Sequence, residues 1–299
     1  MKLSTLALLA AFAAPGLAAA QAADPAYIKA EQDWRTERDK GLRRDNGWLT
    51  LAGRYVLKPG ENTFGTGATN DVVFPKGLGP AGMGSVFVEP GGKVTVKLVE
   101  GLKMSKDGID YTERVMDTDA DKQDWMTMGR AAFYFIERDG RYILRLADNE
   151  SEVRKKFGGR VWYDVNDRYR VPAKFIPYSP PRKIAIVNVL DEVSDEPAPG
   201  YIEFELEGRK YQLDVVGDDE GLFTILRDDT AGATTYPPGR FLHVEKKPNP
   251  GETFVFDLNR AYNPPCAFSE FTTCPLPPKQ NILKVKIEAG EKYPPRKQG

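Results

Sequence analysis

The stretch YIEFELEGRKYQLDV, residues 201–215, decides the fold class. Ile202, Phe204 and Leu206 alternate with Glu203, Glu205 and Glu207; Gly208 then turns the chain, and Tyr211, Leu213 and Val215 alternate back. A period of two puts the apolar side chains on one face of a pleated strand and the carboxylates on the other, so the stretch reads as a half-buried antiparallel pair. Outward from it the same pattern recurs. Phe133 to Ile136 and Tyr142 to Leu146 flank Arg138-Asp139-Gly140-Arg141, where Asp-Gly supplies the positive φ angles of a hairpin turn. Val94, Val96 and Leu98 alternate, and short apolar runs from Trp48 to Val88 are separated by glycine-rich links. Ile184 to Leu190 reads as a buried strand, and Leu222–Leu226, Phe241–Val244, Phe254–Leu258 and Leu283–Ile287 as further strands. Phe175 to Pro181, FIPYSPP, reads as an extended connector packed between two modules. One helix stands apart: Asp24 as N-cap and Pro25 at the first helical position open a segment, charged almost all round, that runs to about Arg44. The expected architecture is all-β, two packed β modules preceded by that N-terminal helix (24–44). The modules are a small N-terminal sandwich at 45–120 and a larger antiparallel β domain at 121–292, with a tail at 293–299.

Residues 1–20 have the form of a secretory signal peptide: Lys2, an apolar run from Leu6 to Ala13, and small residues Ala18-Ala19-Ala20 before Gln21. The expected location is periplasmic or secreted. No later apolar segment is long enough to span a membrane. The formal net charge of −1 over 299 residues argues against a nucleic-acid partner. In an exported chain the two cysteines, Cys266 and Cys274, are expected to form a disulfide that closes a short loop.

The richest polar stretch runs from Asn259 to Asn281 and holds both cysteines and five prolines, a fixed irregular backbone of the kind that carries sites. With Arg227, Asp228, Tyr236 and Arg240 from the preceding segment, Asn259, Tyr262 and Asn263 form the expected ligand-binding set. The arginines would pair with a carboxylate or phosphate, the tyrosines would stack, and the asparagines would fix polar groups. The lone histidine, His243, follows Leu242 in a strand and reads as a solvated residue. Asp117, Asp119 and Asp121 have the spacing of a calcium loop, but Lys122 and Met128 stand where its glycine and glutamate belong, so no metal site is expected there. No catalytic residue and no cofactor follow from these patterns.

From the helix around Trp34 to Glu291 the chain resembles the domain of unknown function 1684 family, through GWLTLAG (47–53), GENTFGTGATNDVVFP (60–75), VPAKFIPYSPPRKI (171–184), PGYIEFELEG (199–208), LFTILRDDTAGATTYPPGRFL (222–242), DLNRAYNPPCAFSEFTTCPLPPKQN (257–281) and AGE (289–291). That resemblance implies no activity and assigns no residue a role. GENTFGTGATNDVVFP (60–75) is similar to the entry of forkhead-associated sandwiches. Thr66 after Gly65, and Gly79-Pro80-Ala81-Gly82 later, replace the phosphate donors of that family, so the likeness extends to fold and not to phosphopeptide binding. The leading expectation is an exported protein binding a small polar or anionic ligand. The alternatives are a carboxylate- or metal-dependent hydrolase using Asp228 and Asp257, and a structural partner-binding envelope module.

Overall fold

The structure, a computed structural model, describes residues 24–293; the expected signal and all but the first residue of the expected tail lie outside it. Asp24 caps α1 (Pro25–Arg43), its Oδ1 accepting from the Ala26 N–H at 3.0 Å. Residues Trp48–Thr50, expected as strand, instead form a single 3-10 turn. The Thr50 N–H and hydroxyl both donate to the Gly47 carbonyl, at 3.0 and 2.7 Å, which closes the turn just before the first strand.

The first half of the chain contains β1 (Leu51–Val56), β2 (Gly60–Gly65), β3 (Val72–Val73), β4 (Gly84–Val88), β5 (Val94–Leu98), β6 (Met104–Lys106), β7 (Ile109–Tyr111), β8 (Glu113–Met116), β9 (Met126–Met128), β10 (Ala131–Arg138) and β11 (Arg141–Asp148). These build a five-stranded sheet, β3-β2-β4-β5-β8, and a six-stranded sheet, β1-β11-β10-β9-β6-β7. Phe64, Val86, Val96, Phe133, Leu144 and Leu146 meet between them. Asp139 and Gly140 take φ of 52° and 72°, as a primed hairpin turn requires. The boundary expected at residue 120 assigned β9 to β11 to the second module; their pairing with β1 and their shared core put them in the first. The physical reason is that Ala131 to Ile136 is buried on both faces. Phe133 and Phe135 face the sandwich, while Tyr134 and Ile136 lie under Trp125 on the far side. A continuously apolar run does not say which layer it joins.

The second half holds α2 (Glu152–Lys156), β12 (Val161–Trp162), β13 (Arg170–Val187), β14 (Val193–Leu206), β15 (Arg209–Gly217), β16 (Leu222–Leu226), β17 (Arg240–Val244), β18 (Thr253–Asp257) and β19 (Glu291–Lys292). Six of these strands form one antiparallel sheet, β17-β16-β15-β14-β13-β18, and β12 pairs with β19 in a small ribbon. Ile202, Phe204 and Leu206 are buried in its core with Leu213 and Val215, as their alternation required. The fold is all-β beyond α1 and α2.

Three elements depart from expectation. Phe175 to Pro181 is no connector but the middle of β13, with a register shift between Pro177 and Arg182; Phe175 is in the core. Within Ile184 to Leu190 only Ile186 is buried, because β15 pairs with β14 only from Gly200 onward and leaves the outer part of the β13–β14 hairpin as a two-stranded arm. Leu283 to Ile287 fills the core with alternating side chains without joining a sheet. Its first part bonds to the backbone after β16, Leu283 N–H to the Arg227 carbonyl at 2.8 Å and Asp229 N–H to the Val285 carbonyl at 2.9 Å, and beyond that Ile287 N–H donates to Asp228 Oδ2 at 2.7 Å and Glu288 N–H to the Tyr169 hydroxyl at 3.1 Å. Cys266 and Cys274 are joined in a disulfide with Cα atoms 6.1 Å apart. Phe271 of the loop it closes packs on Leu51, Ala132 and Ala147 of the first half. Among the described residues no helix is long and apolar enough to cross a membrane.

Candidate functional site

Chain alternation along β17 divides the expected ligand set. Arg240 and Leu242 point inward, while Phe241 and His243 turn to the opposite face, where the Phe241–Tyr262 backbone bridge brings Tyr262 alongside. Arg240 is fully buried; Nη2 donates to Asp228 Oδ1 and to the Ile287 carbonyl, both at 3.0 Å, and Nη1 donates to the Ala289 carbonyl. Asp228 Oδ2 accepts in turn from the Thr230 hydroxyl and from Ile287 N–H. These bonds stitch the C-terminal segment to the sheet. Asn259, also buried, grips Asn166 through both ends of its amide, at 2.9 and 3.0 Å. Arg227 is exposed and donates to the Pro237 carbonyl at 3.0 Å across its own loop, and Tyr236 packs edge-on against Tyr293 at 4.9 Å. Of the seven residues, the structure brings Tyr262 and Asn263 together in a cleft and places the other five outside its lining.

That cleft has two lobes with a shared wall of Trp48, Arg160, Asn263 and Phe268. The smaller, about 330 Å³, is bounded by Arg38, Phe241, His243 and Tyr262. The larger, about 580 Å³, is mostly apolar, with Leu49, Val153, Phe157 and Phe271 in its lining and Lys292 at its edge. Both volumes lie in the range of small-molecule sites.

Helix α1 supplies Arg38 through a face that composition hides. Tyr27, Glu31, Trp34 and Arg38 recur at helical spacing and track down the second module. The Tyr27 hydroxyl donates to Asp257 Oδ2 at 2.5 Å, Arg260 Nε donates to the buried Glu31 at 2.7 Å, and Trp34 meets Trp162 edge-on at 5.6 Å. Arg38 comes last, its guanidinium carbon 3.6 Å from the centre of the Tyr262 ring. No carboxylate among the described residues forms an ion pair with it, its buried Nε has no hydrogen-bond partner, and burial lowers its pKa.

The ribbon of β12 and β19 supplies the rest. Arg160 Nη1 donates to Glu291 Oε2 at 2.6 Å, and the same oxygen accepts from Asn263 N–H at 2.9 Å. Burial pushes the Glu291 carboxyl upward against the pull of Arg160. Asn263 Nδ2 donates to the Lys292 carbonyl at 3.0 Å, which leaves Oδ1 buried and unpaired in a residue only 2% exposed. Gly290 takes φ 76°, and a Cβ there would lie 2.3 Å from the Ala261 carbonyl oxygen. The AGE motif thus acts residue by residue: Ala289 receives Arg240, Gly290 permits the close approach, and Glu291 holds Arg160 and Asn263. His243 is exposed, as expected for a solvated strand residue, with its ring 4.8 Å from Phe223 and stacked parallel to Tyr262 at 5.9 Å. Packing among these rings lowers its pKa, and the Arg38 charge lowers it further, which favours the neutral imidazole. Chemically the small lobe offers a cationic fork, an unused amide oxygen acceptor and aromatic walls.

Arg38, Trp48, Arg160, His243 and Glu291 were not in the expected set. For His243 the signal was available: alternation along β17 puts it on the face of Phe241. For Arg38 it was the spacing from Tyr27; for Arg160 no local signal exists.

Residues 155–292 match the family described as a protein of unknown function, DUF1684. The matched stretch contains Arg160, His243, Tyr262, Asn263 and Glu291; Arg38 and Trp48 precede it, as do the motifs at 47–53 and 60–75. The chain is similar to the solution NMR structure of an uncharacterized protein of Haloarcula marismortui, with 29% identity and a TM-score of 0.40 over 46% of this chain and 78% of that one. No curated protein matches.

Proposed function

We propose that this is an exported binding protein that holds a small amphiphile, its oxyanion head against Arg38 and its apolar body in the larger lobe. The observation that carries this is Arg38: a half-buried guanidinium laid on Tyr262 with no carboxylate partner among the described residues. A desolvated cation over a ring is stabilised by the ring quadrupole, but its N–H groups still demand acceptors. A carboxylate or phosphate head supplies them. The unpaired Asn263 Oδ1 adds a preference for a head that also carries a hydroxyl or amine donor. The apolar larger lobe, which shares Trp48 and Phe268 with the small one, accounts for the rest of the ligand.

Hydrolysis by Asp228 and Asp257 draws no support from the geometry, since Asp228 is bonded to Arg240 and Ile287, and Asp257 to Tyr27 and Asn259. His243 has no hydrogen bond to a carboxylate among the described residues, so a relay through it draws none either.

Native mass spectrometry of the protein, purified without detergent or chelator, tests the reading. A retained organic acid or phosphate that disappears in Arg38→Met supports it. A bare mass, together with no calorimetric heat from medium-chain fatty acids, hydroxy-fatty acids or alkyl phosphates, overturns it.

A further inference from the structure

A separate cavity of about 470 Å³ shares Phe223 with the small lobe, and its wall contains Arg138, one of a second group of arginines. Strand register assembles that group. β1 and β11 set Arg54 opposite Arg145, and β10 and β11 set Tyr134 opposite Arg145 and Arg138 opposite Arg141. These side chains lie on the outer face of the six-stranded sheet, toward the second module. Arg138 donates to the Thr273 hydroxyl at 2.9 Å, and Arg145 reaches the same oxygen at 3.5 Å. Arg141 is neutralised, 2.6 Å from Glu192 and 3.8 Å from Asp139. For Arg54, Arg138 and Arg145 there is no carboxylate within 4.0 Å among the described residues. Arg145 is only 5% exposed, and its Nε and Nη1 are buried without a partner, as is Nε of Arg54.

This arrangement is costly as it stands. An uncompensated charge out of water is unfavourable by several kcal/mol, and like charges packed together add to it. Burial, with Arg54 and Arg138 alongside, brings the Arg145 pKa down to about 10, so the group remains cationic at neutral pH. Arg145 reaches the cavity through Thr273, which lines it with Arg138, Asn188 and Ser194, and Asp139, Glu192 and Glu196 also face it. Of those carboxylates, Glu192 is held by Arg141 and Asn188. Two guanidinium groups on one hydroxyl, with Arg54 opposite Arg145 in the register and no carboxylate ion-paired to any of the three, match a doubly charged oxyanion better than a single carboxylate.

We propose that Arg54, Arg138 and Arg145, with the Thr273 hydroxyl, bind the phosphate group of a small phosphorylated molecule at the seam between the two β modules. The site is separate from the Arg38 cleft and does not depend on it. The anion would join strands of the first module to the disulfide loop of the second, so binding would stabilise the whole chain.

The test is thermal unfolding of the full chain in a phosphate-free buffer, with inorganic phosphate or glycerol 3-phosphate added against sodium chloride at equal ionic strength. A saturable rise in melting temperature is expected, growing with ligand as RT ln(1 + [L]/Kd). Arg138→Gln and Arg145→Met should each weaken the dissociation constant at least tenfold by calorimetry. Arg54→Gln, at a half-buried position, serves as the reporter if Arg145→Met does not fold. Cosedimentation with vesicles of phosphatidic acid and phosphatidylcholine, abolished by Arg138→Gln, would support the site and identify its phosphate as a lipid headgroup. No stabilisation beyond the chloride control overturns the proposal. So does stabilisation that survives both Arg138→Gln and Arg145→Met, or that is lost in Arg38→Met instead.

Discussion

Arg240 and Arg145 are both buried arginines, and their surroundings are opposite. Arg240 lies against Asp228 at 3.0 Å with two backbone carbonyls filling further N–H positions. Arg145 has one weak contact to a threonine hydroxyl and two buried N–H positions with nothing opposite. Arg240 thus has a carboxylate counterion and a single buried N–H, Nε, without a partner, whereas Arg145 has no carboxylate and two such N–H positions. The contrast teaches that burial of a charged group does not by itself mark a site, and the two proposed sites rest on guanidinium groups that lack a counterion as well. Arg38 belongs with Arg145 in this respect.

The contrast can be broken most directly by truncating each arginine. Arg240→Met leaves Asp228 as an unpaired buried charge and should cost about 3–5 kcal/mol in urea unfolding. A loss under about 1 kcal/mol would mean that Arg240 is not the clasp described. Cys266→Ser reopens the loop that carries Phe271 and Thr273 to the first module, and should cost about 2.5 kcal/mol in the chain-entropy model. It should also weaken phosphate binding, because Thr273 is no longer held; unaltered binding would separate the disulfide from the seam.

Arg145→Met should behave in the opposite way to Arg240→Met. In phosphate-free buffer it removes an uncompensated charge, so stability should stay level or rise, by up to about 1–2 kcal/mol. A loss as large as that of Arg240→Met would show that Arg145 is internally satisfied. The smallest effect expected is at His243. Its pKa is depressed in the folded chain, so its contribution is complete above the ordinary histidine value of 6.5 and is lost as pH falls through the folded value. His243→Phe should therefore flatten the fall in melting temperature between about pH 7 and pH 5. Equal slopes for the two proteins would refute the assignment.

The different legibility of these features in the sequence has a physical basis. The hairpins at Asp139-Gly140 and at Glu207-Gly208, the N-cap at Asp24 and the alternating face of β14 were readable because each depends on neighbours a few positions away. Leu283 to Ile287 alternates like a strand, and its first part does meet a backbone partner, Leu283 N–H donating to the Arg227 carbonyl and Asp229 N–H to the Val285 carbonyl beside the Arg227–Ile282 bridge, but the Asp228 side chain takes the Ile287 N–H and the pairing stops there. The placement of β10 was hidden because both its faces are buried. Tyr262 and Asn263 could be singled out from their irregular, proline-bracketed segment. Arg240 was singled out with them because sequence proximity does not reveal which face of β17 a side chain takes.

By itself, then, the sequence determined the all-β class, the hairpin turns, the capped helix and the cysteine pair, since local sterics and period-two patterning act along the chain. Only the tertiary structure decided which arginines find a carboxylate. Arg240 meets Asp228 12 positions away, but Tyr27 reaches Asp257 across 230, Arg160 reaches Glu291 across 131, and Arg138 meets Thr273 across 135. A charge count close to zero conceals this, because neutrality of the whole chain places no constraint on where each charge is left without its partner.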